Sequence, residues 1–214
     1  MISSSFTRYC AGLVLACTLG SAAAAVGKTQ APRQTPDQAI RQTTDQLRAL
    51  IRDNRAAYEA DSQQFFDMVE KVVVSRFDTR YIGQIILGTH WRNASEAQRQ
   101  RFIVAFRNNL VHSYARALLE NTDMVELKWK PVHMAQNAQE ATVNVDLLRK
   151  EGPPVPIGFD VHLVGAEWKV YDVKIDNVSL ANTFRSQFTP EIRKNGIDGL
   201  IKRLESGAKP LEKA

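Results

Sequence analysis

The sequence predicts an α+β fold: a curved antiparallel sheet of four strands covered by several helices. Three observations carry this expectation. Apolar residues recur at helical spacing from about Thr35 to Glu120, at period two from Val125 to Val173, and at helical spacing again from Ser179. The period-two runs are joined by short turn-forming segments, which favour antiparallel neighbours over crossovers. No internal repeat or linker divides the pattern, so the elements belong to one domain, a sheet whose apolar face is covered by helices.

Met1–Ala25 precede that domain and read as a secretory signal. One cation, Arg8, is followed by the apolar run Cys10–Leu19 and by small residues ending in Ala23-Ala24-Ala25, which places cleavage before Val26. The apolar run is too short for the ~20 residues that span a bilayer. A lipid-modified Cys17 would need a longer apolar stretch before it. Residues 26–34 are polar and aperiodic, a flexible lead-in; 35–208 form the domain and 209–214 a tail.

Thr35-Pro36-Asp37-Gln38 starts the first helix, with a capping Thr, Pro at the first helical position and Gln38 completing a capping box. Ile40, Leu47, Leu50 and Ile51 give it a thin apolar stripe. A second helix begins near Asp61 with Phe65, Phe66, Val69 and Val72 inward, and the β-branched run Val72-Val73-Val74 blurs its end. Asp78–Leu87 is a third, stopped by Gly88. Ser95-Glu-Ala-Gln98 is a second capping box and opens the longest helix, to about Glu120.

The strands follow. Val125, Leu127 and Trp129 alternate with charged residues; Ala141, Val143, Val145 and Leu147 alternate with Thr142, Asn144 and Asp146, and Val155, Ile157, Phe159, Val161 and Leu163 with Gly158, Asp160 and His162; then Trp168, Val170 and Asp172 share a face opposite Lys169, Tyr171 and Val173. Gln136-Asn137, Gly152-Pro153-Pro154 and Gly165-Ala166-Glu167 supply the turns. After Ser179, Gly196 divides Pro190–Asn195 from a last helix, Ile197–Ser206.

Composition narrows the chemistry. Both cysteines, Cys10 and Cys17, lie in the leader, so the mature domain has no disulfide and no thiolate metal site. His90, His112, His133 and His162 show no metal-ligand spacing, and no nucleophile-elbow motif is present. Lys plus Arg number 28 against 23 Asp plus Glu, a mild excess that suits a solvated surface, and export argues against nucleic acid as a partner. No catalytic residue, metal or cofactor is expected.

Several segments resemble one family. Tyr81-Ile-Gly-Gln-Ile-Ile-Leu-Gly88, Trp91-Arg-Asn-Ala-Ser95, Gln98-Arg-Gln-Arg-Phe102, Tyr114-Ala115, Trp168–Val173, Val178-Ser-Leu180, Arg185-Ser-Gln-Phe188 and Gly196–Ile201 occur in the order found in the periplasmic MlaC proteins, also called toluene-tolerance auxiliary proteins. The set spans most of Thr35–Leu204. The resemblance implies a monomeric periplasmic phospholipid carrier with an apolar cavity between sheet and helices. Its implied partners are an outer-membrane lipoprotein–porin complex and an inner-membrane ABC transporter bearing MCE domains. Its implied role is to maintain outer-membrane lipid asymmetry, with phospholipid as cargo rather than cofactor.

Under that reading, Tyr81, Ile85, Phe106, Leu110, Tyr114, Val145, Phe159, Val161 and Tyr171 are the candidate lipid-binding residues, with the apolar sheet face, Val143 and Leu163 included, among the walls. Tyr81, Tyr114 and Tyr171 suit a cavity mouth, ring against lipid and hydroxyl toward water. Arg92, Arg99, Arg101 and Arg107 are candidates for headgroup or partner contact, because guanidinium pairs well with phosphate. Gly83 suits close approach of a tail or of another helix. Two alternatives stay open: a small isomerase-like α+β enzyme using Asp160 and His162 with Asp172 nearby, and an interaction module with a filled core.

Overall fold

The computed structural model describes residues 34–121, 126–135, 138–149 and 151–208. The leader, the lead-in up to residue 33, the 209–214 tail, Val125 and the Gln136-Asn137 turn lie outside the described residues. The element order is α1 (Pro36–Ala60), α2 (Ser62–Val72), α3 (Thr79–Leu87), α4 (Thr89–Asn93), α5 (Glu96–Asn121), β1 (Glu126–Trp129), β2 (Glu140–Leu148), β3 (Val155–Val164), β4 (Glu167–Ile175), β5 (Val178–Ser179) and α6 (Leu180–Glu205).

Helix starts follow local capping chemistry. At α1, Thr35 N–H donates to the Gln38 side chain at 3.1 Å, while the Thr35 hydroxyl donates to Asp37 at 2.7 Å. Asp61 caps α2 by accepting from the Gln63 and Gln64 amides, and Asp78 caps α3 by accepting from Tyr81 N–H at 2.9 Å. The box at α5 closes in both directions: Ser95 N–H to Gln98 Oε1 at 3.0 Å, and Gln98 N–H to Ser95 Oγ at 3.2 Å. The β-branched end of α2 unwinds into a single 3-10 turn, Val74–Arg76. The sequence reading lacks α4, because five residues span less than two turns and carry no period.

The sheet is antiparallel in the order β1-β2-β3-β4-β5, one strand more than the four expected. A two-residue β5 is too short to alternate. Asp176 and Asn177, both with positive φ, close the tight hairpin between β4 and β5. A second correction concerns β4. Asp160 pairs with Asp172 but Val161 pairs with Val170, which leaves Tyr171 as the extra residue of a bulge. The one-residue slip moves Val173 onto the face of Trp168 and Val170, and takes Asp172 off it.

Three apolar clusters hold these elements. The first joins α3, α5 and α6 around Phe102, Phe106, Phe184 and Phe188. The second lies on the sheet, where Ala39 and Ile40 of α1 cover Val143, Val161, Trp168 and Val170. Trp168 Nε1 donates to Gln34 O at 2.9 Å, which holds the start of α1 on that face. The third packs Ile51 and Tyr58 of α1 with Phe65 and Val69 of α2 and Leu119 of α5. Helix α5 therefore buries different faces in its two halves. The last helix is also bent: Gly196 (φ 71°, ψ 170°) occupies backbone space open essentially to glycine alone, so the two predicted helices run on through a kink.

Candidate binding cavity

A cavity of about 370 Å³ lies among α2, α3, α5, α6 and β4. Val69 and, after the end of α2, Val73 and Val74 form one wall; Ile82, Gly83 and Ile86 of α3 form another. Phe102, Ile103, Phe106 and Leu110 line it from α5, and Leu180, Ala181 and Phe184 from α6. Its position follows from the β4 edge. Phe77 bridges to Val170 and β5 pairs from Lys174, so positions 171–173 have no strand beside them on that side among the described residues. Tyr171, Asp172 and Val173 line the cavity there.

Few polar groups reach this space. Asp172 Oδ1 accepts from Val173 N–H at 2.9 Å and Ala181 N–H at 3.0 Å, so its carboxylate serves the positive end of α6. Burial, and then the negative charge of Asp160, push the Tyr171 hydroxyl above its ordinary pKa and keep it neutral. A Cβ on Gly83 would sit 3.1 Å from Trp91 Cζ3 and 3.3 Å from Ile103 Cγ1. Of the two uses open to this glycine, close packing of neighbouring side chains is the one seen.

A site of this kind, apolar and without a reactive cluster, has known counterparts. The MlaC protein family model matches residues 41–206. The chain belongs to the MlaC family. It is 28% identical over 182 residues to the toluene tolerance protein ttg2D of Pseudomonas putida, covering 85% of this chain and 83% of that one. It is 23% identical over 186 residues to the intermembrane phospholipid transport system binding protein MlaC of Haemophilus influenzae, covering 86% of each. Among solved structures, a phospholipid-binding protein from Ralstonia solanacearum, in complex with a phospholipid, superposes with a TM-score of 0.73 at 27% identity. That match covers 81% of this chain and 97% of the other.

Within this MlaC-family fold, the residues singled out from sequence divide. Phe106, Leu110, Tyr114, Tyr171 and Arg107 line the cavity. Tyr81 lies beside it: its ring packs on His162 (4.9 Å between centroids) and on Tyr171 (5.5 Å). Ile85 packs into the α3–α5–α6 core. Val161 is fully buried and Phe159 partly so in the sheet cluster under α1, together with Val143 and Leu163; Val145 is buried between Trp129 and Ile157 in the sheet. The sheet face expected as a wall is thus filled by α1, and β4 alone contributes strand residues to the lining. Val69, Val73, Val173, Leu180, Ala181 and Phe184 also line the cavity and were not among the candidates; the β-branched Val run at the end of α2 was a local signal for the first two, whereas the bulge that turns Val173 shows only in the pairing with β3.

Three of the arginines lie outside the lining. Arg101 pairs with Asp198 (3.4 Å) and Glu205 (3.1 Å) on α6. Arg99 donates to Trp91 O at 2.9 Å and pairs with Glu96 at 3.4 Å, while Arg92 is exposed on α4. Arg80 and Arg99 flank the Trp91 ring at 5.4 and 5.2 Å, and Arg80 reaches Glu96 at 2.8 Å. Hydrogen bonds from Arg80, then from Gln100, hold the Glu96 carboxyl down at about 2. Because the folded value lies below the ordinary 4.5, this contact stabilises the fold above that pH and is lost as pH falls toward 2. An NMR titration should place the Glu96 midpoint near 2, and Arg80→Met should return it toward the ordinary glutamate value.

The acid–base candidates lie on neighbouring positions of the sheet, Asp160 opposite Asp172, but each is engaged with a partner of its own. Asp160 accepts from the Thr142 hydroxyl at 2.8 Å and pairs with Lys174 at 2.6 Å. His162 Nε2 lies 3.1 Å from Asp78, and neither Asp160 nor His162 lines the cavity. Among the described residues no cluster of three or more metal-ligating side chains occurs, and no helix is long and apolar enough to cross a membrane.

Proposed function

We propose that this MlaC-family chain is a periplasmic phospholipid carrier. It shuttles lipid between an outer-membrane lipoprotein–porin complex and an inner-membrane MCE-domain ABC transporter, and so maintains outer-membrane lipid asymmetry. Residues 1–25 act as its export signal. Phe106, Leu110, Tyr114 and Tyr171 hold the acyl region of the cargo, and no residue acts as a catalyst.

The carrying observation is the hydrocarbon-lined cavity of about 370 Å³, within the ~300–1,000 Å³ typical of ligand pockets. The phospholipid bound by the Ralstonia relative supports the same cargo class. Each methylene taken out of water is worth ~0.8 kcal/mol, so a lipid with tens of them does not diffuse free. An interior as apolar as a bilayer brings transfer close to balance, and direction then comes from the membrane complexes at either end. The separate engagements of Asp160, His162 and Asp172 weigh against the isomerase-like alternative. The empty apolar volume weighs against a filled-core interaction module.

Native mass spectrometry of protein purified from the periplasm, with thin-layer chromatography of the extracted lipid, tests this. A phospholipid mass retained through purification is expected. Protein flying at its polypeptide mass, together with delipidated protein that takes up no labelled phospholipid, would overturn the proposal.

A further inference from the structure

Among the described residues, the cavity lining contains one cation, Arg107, on α5. It lies on the stretch of helix that also supplies Leu110, Val111 and Tyr114, and Tyr114, 46% exposed, marks where the lining meets water. Arg107 Nη1 pairs with Glu70 Oε1 of α2 at 3.0 Å, so the ion pair joins the two helices at the cavity wall. Its Nε and Nη2 donate to Oδ1 of the adjacent Asn108 at 3.2 and 3.1 Å. The acid in the lining, Asp172, accepts from two backbone amides, and the carboxylate paired with Arg107 is Glu70.

We infer that Arg107 receives the phosphodiester of the cargo and that Glu70 is a built-in competitor, occupying Arg107 when the cavity is empty and displaced when lipid enters. This rests on the carrier reading above and deepens it by naming the headgroup contact. A guanidinium beside an apolar cavity is costly to leave without acceptors; Asn108 takes two of its N–H groups, and Glu70 supplies the countercharge in the absence of lipid. The Glu70 side chain is 49% exposed, so the pair is of the solvent-screened kind that carboxylate leaves easily. A phosphodiester offers the same guanidinium two oxygens in the geometry of its paired N–H groups. Arg101, held by two carboxylates away from the cavity, has neither property.

Two fluorescent probes with identical acyl chains separate this contact from packing: phosphatidylglycerol, and diacylglycerol, which lacks the phosphate. With delipidated mature protein, Arg107→Gln should weaken phosphatidylglycerol about tenfold and leave diacylglycerol within about twofold, as expected for losing one charge-assisted contact. Glu70→Gln should tighten phosphatidylglycerol about threefold, the scale of an exposed ion pair, again without moving diacylglycerol. Arg107→Lys should recover part of the loss, and excess inorganic phosphate should not displace the probe. Equal shifts for both probes, no shift for either, or displacement by inorganic phosphate would each overturn the inference while leaving the carrier reading in place. Wild-type protein that binds neither probe would sink the carrier reading itself.

Discussion

Leu110→Trp should lower phospholipid affinity about 15-fold while leaving the fold intact. Leu110 is partly buried on α5, packs against the aromatic core and lines the cavity. An indole placed there projects into the cavity and takes the room of about two methylenes more than leucine does. At ~0.8 kcal/mol each, their exclusion costs the cargo about 1.6 kcal/mol, a factor of about 15 in affinity. Overpacking a filled core costs ~1–3 kcal/mol, but an open volume relieves most of that strain. The test is the lipid-bound fraction by native mass spectrometry, with thermal unfolding of delipidated protein as control. Wild-type lipid retention in a folded Leu110→Trp variant would show that the tails lie elsewhere.

Phe188→Ala should be the more damaging change to the fold. Phe188 is 1% exposed, and its ring meets Phe102, Phe106 and Phe184 at centroid distances of 6.3, 6.0 and 5.7 Å. Arg203 lies over the same ring at 5.5 Å. Truncating a buried Phe leaves a void and costs about 3–5 kcal/mol. For a domain of this size each kcal/mol moves the melting temperature about 2–4 °C, so a fall of about 10–15 °C is expected by circular dichroism. Phe188 is not among the cavity-lining residues, so protein still folded below its new midpoint should carry lipid as before. A fall of only a degree or two would mean that the surrounding rings close over the gap.

The sequence alone does not tell these two positions apart. The class of fold was readable because the change from helical period to period two is a property of neighbouring residues, as are the capping pairs Thr35–Gln38 and Ser95–Gln98. Leu110 and Phe106 were readable as apolar positions on the longest helix, but nothing local separates Leu110, beside a cavity, from Phe188, in solid core. Val145, Phe159 and Val161 carry the same strand pattern that a cavity wall would need. Phe159 and Val161 are covered instead because α1, distant in sequence, lays Ala39 and Ile40 over that face, and Val145 is buried within the sheet between Trp129 and Ile157. Val173 was read onto the wrong face because a bulge at Tyr171 adds one residue to β4, and a bulge leaves no mark on alternation until the partner strand is known.

The amino-acid sequence by itself determined the fold class, the order of the longer elements, the confinement of both cysteines to the first 17 residues and the resemblance to MlaC proteins, because spacing, capping and composition are short-range or whole-chain properties. Only the tertiary structure decided which apolar faces meet and which stand apart. The cavity opens where β4 has no strand neighbour among the described residues between the Phe77 bridge and β5, and its walls run from Val69 on α2 to Phe184 on α6. Such a void is a difference between two packed surfaces, and no single segment encodes that difference.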